Sequence, residues 1–105
     1  MNARIIKQMP KGGVDLVTTG NAKIMYYAKY AILLSYGVPV AIDTNEEVKY
    51  HGMFFPPGKY VTDRHWSQTT SCHIGRWRRK VGGDNAEIMP QALLSKLYHE
   101  TRYGY

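Results

Sequence analysis

His65, Cys72 and His73 are residue types that permit reaction chemistry, and Arg64, Arg76, Arg78, Arg79 and Lys80 permit anion binding. All of them fall within residues 60–80, together with both tryptophans, Trp66 and Trp77. A zinc site on a helix wants two ligands at a spacing such as i, i+4, so that they share a face. His51, His65, His73 and His99 contain no such pair, and adjacent Cys72 and His73 diverge on a helix. Neither a metal nor a cofactor is expected. Cys72 at a helix start in electropositive surroundings would have a lowered thiol pKa, with His65 or His73 as base. No orienting acid or oxyanion hole is marked, so a structural cysteine is the expectation. Gly82-Gly83 lacks the spacing and the Lys-Ser/Thr ending of a phosphate loop. Asp63 and Asp84 are isolated, which gives no paired-carboxylate chemistry. The expectation is a binding protein that is not an enzyme.

The arginines carry the binding argument. From Arg64 to Lys80 there is no acidic residue, and four of the five positions 76–80 are basic. A guanidinium presents a planar fork that donates bidentately to phosphate. The whole chain carries a net charge of +6. Such a surface attracts phosphates, acidic proteins and anionic membranes alike, and nucleic acid leads among small basic domains. Trp66 or Trp77 could stack on a base, an interaction worth roughly 1–3 kcal/mol. Tryptophan is also highly buried on average, and both are assigned with Ile74 to holding a helix on a sheet.

These residues need a scaffold. A length of 105 residues implies one domain over 1–105. Residues 1–13 read as a lead-in closed by Pro10 and Gly12-Gly13. Strand character appears at 14–18, 23–27, 31–36, 38–42 and 59–62, with Thr19-Gly20-Asn21-Ala22 as a turn. Ile32, Leu34 and Tyr36 share one face, as do Val38, Val40 and Ile42. Pro39 cannot donate to a ladder, so it lies at an edge or faces a gap. Residues 43–58 read as an extended loop or hairpin tip, in which Glu46, Glu47, Phe54 and Phe55 form a candidate protein-contact surface.

A first helix is expected over about 71–80, capped by Thr69, Thr70 or Ser71 and stopped before Gly82-Gly83. Its basic last turn suits the helix dipole. Gly75 inside it costs roughly 1 kcal/mol against alanine and would let a backbone or ligand come close. A second helix follows Pro90, with Leu93, Leu94, Leu97 and Tyr98 as its apolar stripe. Strands first and helices last give an α+β fold, a small antiparallel β-sheet with one or two helices packed on one face.

A single cysteine excludes a disulfide framework and a cysteine zinc finger. No run approaches the length of a membrane span, and the N-terminus has no signal-type apolar core. No membrane partner is expected, and the expected setting is a reducing cytosol.

Ser35-Tyr36-Gly37-Val38-Pro39-Val40-Ala41, then Lys59-Tyr60-Val61-Thr62-Asp63, then Trp66-Ser67-Gln68-Thr69-Thr70-Ser71-Cys72-His73-Ile74 with Trp77, resembles a family of small bacteriophage and prophage proteins of unknown function. Its pattern is roughly S-Y-x-T-P-V-A followed by W-S-x-T-T-S-K-H-I-x-x-W, and the resemblance covers about 31–79. Cys72 stands where that family commonly has lysine, and Gly37-Val38 replaces a polar-Thr pair. The 43–58 stretch is longer than the family's short loop. Thr69-Thr70-Ser71 with His73-Ile74 is also similar to the start of a helix-turn-helix recognition helix, but strand and loop precede it instead of a first helix. The functional expectation is a phage-type protein whose Arg64, Arg76, Arg78, Arg79 and Lys80 contact nucleic acid. The alternative is an anti-CRISPR-like inhibitor of a bacterial defence system, which binds a host protein or nucleoprotein complex. A homodimer fits either reading, and a minor structural or assembly role is a third.

Overall fold

Alternating apolar side chains along residues 30–44 give the central sheet two buried faces. The computed structural model describes residues 14–16, 21–27, 29–83 and 85–103. The expected lead-in and the Thr19-Gly20 part of the first turn lie outside the described residues. In chain order the elements are β1 (Val14–Leu16), β2 (Ala22–Tyr26), β3 (Tyr30–Ser35), β4 (Val38–Thr44), β5 (Val48–Tyr50) and β6 (Met53–Phe55). There follow β7 (Gly58–Thr62), α1 (Gln68–Val81), β8 (Glu87–Met89) and α2 (Gln91–Tyr103). Six strands form one sheet in the order β1-β2-β3-β4-β7-β8, and β5 pairs with β6 in a separate two-stranded ribbon. Neighbours are antiparallel except β7 and β8, which run parallel and are joined through α1. A parallel pair requires such a crossover. The fold is α+β as expected, with a mixed sheet.

Two hairpins close on the same backbone geometry. Tyr36 (φ 52°) and Gly37 (φ 80°) join β3 to β4, and His51 (φ 49°) and Gly52 (φ 80°) join β5 to β6. Positive φ at both central residues matches the right-handed twist of the flanking strands. Pairing in β3–β4 shifts between Leu33 and Leu34, so that Leu33 faces Ala41 and Leu34 faces Pro39. Val40 is the extra residue of a bulge. β4 is an interior strand, but β7 pairs with it only over 41–44. Pro39 therefore faces a gap, and its carbonyl accepts from Gln91 Nε2 at 2.8 Å.

Each face of the sheet carries one helix. Ile32, Leu34, Ile42 and Tyr60 pack with Met89 and with Leu93, Leu94 and Leu97 of α2. Ile24, Tyr26, Leu33, Ala41 and Val61 point the other way and enclose Trp77 of α1. The sequence expectation placed the helices on a single face. The β7–α1–β8 crossover carries α1 over one face, and the chain returns at β8 to lay α2 on the other.

Candidate functional site

Helix α1 begins earlier than its hydroxyl-rich sequence suggests. Ser67 is extended (φ −166°, ψ 167°), and its side chain accepts from the amide of Thr70 at 3.1 Å. That makes Ser67 the N-cap and corrects the expected cap at Thr69, Thr70 or Ser71, which lie inside the first turn. An N-cap residue must have non-helical backbone, and here these three are helical. The helix ends at Gly82, in the left-handed region (φ 70°, ψ 38°) that glycine enters without a Cβ penalty. The amides of Gly82 and Gly83 both turn back to the carbonyl of Arg78.

Trp77 is fully buried and fixes the rotation of α1, as expected. Successive helical residues turn by about 100°. Arg76 and Arg78 therefore leave on opposite flanks of Trp77, and Arg79 points outward. The basic end is a fan, not one patch. Arg76, Arg79 and Lys80 are exposed, whereas Arg78 is half-buried along a cleft that also receives Arg64.

The cleft holds about 510 Å³ between α1, β8 and the loop from β7 to α1. Arg64, Trp66, Ile74, Gly75, Arg78 and Ile88 border it. Two of these are large apolar groups left to solvent, Trp66 at 40% and Ile88 at 57% exposed. Trp66 is thus not the core residue expected from its type. The Arg64 guanidinium carbon sits over its ring, 4.4 Å from the centroid, and Nε1 donates to Gln91 Oε1 at 3.2 Å. Gln91 Oε1 also accepts from the Thr62 hydroxyl at 2.6 Å. The Asp63 carboxylate, which shares the cleft lining, accepts from the Gln91 backbone amide at 3.0 Å and so caps the first turn of α2. This loop is positioned by α2, a link across 28 residues of sequence that local patterns do not reveal.

Gly75 does not meet the expectation of a close backbone. A Cβ built there would touch only Arg79 Nη1, at 4.0 Å. Arg64, Arg76, Arg78 and Arg79 make no ion pair with any described carboxylate; those pairs lie elsewhere, as between Lys59 and Asp43 at 3.7 Å.

Behind the cleft wall lies a buried polar cluster absent from the sequence reading. Ser35 Oγ is 2.7 Å from His73 Nδ1 and 3.0 Å from Thr70 Oγ1. The Tyr36 ring covers His73 at 5.6 Å between centroids. Burial, then the charge of Arg76, pulls the His73 pKa below the ordinary histidine value. A serine hydroxyl on an imidazole resembles a nucleophile and base. Ser35 is only 2% exposed, however, and the cluster ties α1 to the end of β3. Cys72 is exposed on α1, on a different side from buried His73. No group of three or more His, Cys, Asp or Glu able to hold a metal occurs among the described residues.

The candidate contact loop divides. Glu46, Glu47 and Phe54 are exposed, and Glu46 pairs with Lys29 at 3.6 Å. Phe55 is not a contact residue. It is buried in the α2-side core, edge-on to Tyr60 at 5.6 Å. Alternation along β6 sends neighbouring Phe54 to the opposite side, 55% exposed.

A family model described as a family of unknown function (DUF8033) matches residues 12–96. The chain belongs to this family. The DUF8033 span takes in every strand, all of α1 and the whole cleft border, and stops within α2. No curated protein and no solved structure matches the chain. Among the described residues no helix is long and apolar enough to cross a membrane.

Proposed function

We propose that this protein binds nucleic acid without catalysing a reaction, in the cytoplasm of a bacterial host and as a phage-type protein. The observation that carries the reading is that Arg64 and Arg78, distant in sequence, border one cleft with exposed Trp66 and Ile88. Guanidinium groups beside apolar surface suit a partner that alternates phosphates with flat rings. Arg76, Arg79 and Lys80 extend the positive field around α1 and add phosphate contacts that give affinity with little sequence information. The test is fluorescence anisotropy with a labelled oligonucleotide over a salt series. Affinity should fall steeply as salt rises, by about 0.7–0.9 in log K per log salt for each phosphate contacted. Arg76→Glu, Arg78→Glu and Arg79→Glu combined should abolish binding. Absence of binding to any DNA or RNA at low salt overturns the proposal.

One observation favours a second reading, inhibition of a bacterial defence system through a protein contact. Met53 and Phe54 stand exposed near the turn of the β5–β6 ribbon, close in sequence to Glu46 and Glu47. Capture of a defence nuclease that is lost with Phe54→Ser and retained in the triple arginine variant would favour it.

A further inference from the structure

Gly75 poses a question that packing does not answer. Glycine inside a helix is unfavourable by roughly 1 kcal/mol relative to alanine. A structural glycine normally has positive φ or a neighbour too close for a Cβ. Gly75 lies mid-helix, and a Cβ there would meet a single atom, the flexible end of Arg79, at 4.0 Å. What it does border is the cleft, between Ile74 and Arg78 on the α1 wall. A side chain at this position would stand at the outer rim of that space, on the same side of α1 as Arg79.

From this, and resting on the nucleic-acid reading above, we propose that the cleft is a slot for one unstacked nucleobase. The base passes the open rim at Gly75 and lies against Trp66 and Ile88, and Arg78 takes a phosphate beside it. The cleft volume of about 510 Å³ lies within the roughly 300–1,000 Å³ typical of small-molecule sites. Trp66 is held for the purpose. Gln91 fixes its Nε1 edge, and Arg64, already against the ring at 4.4 Å, is placed to close over an inserted base. A duplex keeps its bases stacked and paired, so the ligand is a nucleotide unit of a single strand or a free nucleotide.

The test compares four probes at low salt: a single-stranded oligothymidylate, the same length of abasic strand, a duplex, and thymidine monophosphate. The single strand should bind about tenfold or more tighter than the abasic strand, the scale expected from base stacking, and tighter than the duplex. Binding of the monophosphate that quenches Trp66 fluorescence and is lost in Trp66→Ala would support the slot with a free nucleotide as its source. Gly75→Leu should raise the melting temperature or leave it unchanged and should remove the preference for the strand with bases. A purely structural glycine would not give that pair of effects. Trp66→Phe keeps an aromatic face and should retain most of the preference. If the abasic strand or the duplex binds as tightly as the oligothymidylate, the slot is overturned and the nucleic-acid reading stands. If none of the four binds, the slot falls, and if RNA at low salt also fails to bind, the nucleic-acid reading falls with it.

Discussion

The two faces of the sheet are built from different materials. Against α2 lies a closed apolar core, in which Leu93, Leu94 and Leu97 meet Ile32, Leu34 and Ile42. Against α1 an apolar cluster around Trp77, with Ile24, Leu33 and Val61, is joined by a buried serine, threonine and histidine, and beside them an open cleft reaches the surface. The apolar core on the α2 side gains from water exclusion, which is non-directional, and Gln91 at the start of α2 adds directed bonds to Pro39, Thr62 and Asp63. The α1 side uses directed hydrogen bonds, which set the rotation and height of one helix. A helix that presents Arg78 to a cleft and Trp77 to the core needs that orientation, because a turn of about 100° exchanges the two.

The comparison can be broken most forcefully in its cores. Trp77→Ala should cost about 3–5 kcal/mol and Leu94→Ala about 2–5 kcal/mol, measured by urea denaturation. Trp77→Ala should also release α1 and weaken oligonucleotide binding, whereas Leu94→Ala should leave binding intact in the molecules that remain folded. Equal loss of binding from both would erase the distinction between the faces.

A smaller effect is expected at the start of α1. Ser67→Ala removes the cap and should cost about 1 kcal/mol, read as a lower denaturation midpoint with an unchanged slope. Ser71→Ala, inside the first turn, should change stability by less than about 0.5 kcal/mol. A larger loss at Ser71 than at Ser67 would contradict the cap.

The subtlest contrast is pH dependence. His73 has a lowered pKa in the folded protein, chiefly from burial. Below its ordinary value of about 6.5, the unfolded chain takes up a proton that the folded chain resists. Stability is therefore full above that value and declines as pH falls towards the folded pKa. His73→Gln should flatten the decline between about pH 6.5 and 5 in thermal melts, where the carboxylates contribute little. An unchanged pH profile would mean that burial and the charge of Arg76 do not hold His73 neutral.

Several parts of this architecture were legible in the residues. The 93–94–97 stripe, the alternation of Ile32 and Leu34 in β3, and the burial of Trp77 follow from periodicity and residue type, whereas in β4 the bulge at Val40 sends Val38 and Val40 to the α1 side and Ile42 to the α2 side, against the single face expected for the three. The cap was obscured because Ser67, Thr69, Thr70 and Ser71 all offer oxygens within five positions, and only backbone angles select one. β8 is three residues long and pairs parallel with β7, so it has no local signature. Trp66 and Phe55 exchanged roles for the same underlying reason. Both are aromatic, and burial was decided by strand alternation for Phe55 and by a bond to Gln91 for Trp66. The cleft and the Ser35–His73 pair join residues 38 positions apart or on separate elements, which one sequence does not reveal. Residues 76–80 all lie on α1, as expected, but helical rotation splits their charges among three directions.

The most direct test of the central claim is to map backbone amide shifts on adding a single-stranded oligonucleotide at low salt. Changes should concentrate at Arg64 to Ser71, at Gly75 and Arg78, and around Ile88, with α2 beyond Leu94 and the β5–β6 ribbon unaffected. Changes centred on Met53 and Phe54, or on the α2 side, would contradict the assignment of the α1 cleft as the binding site.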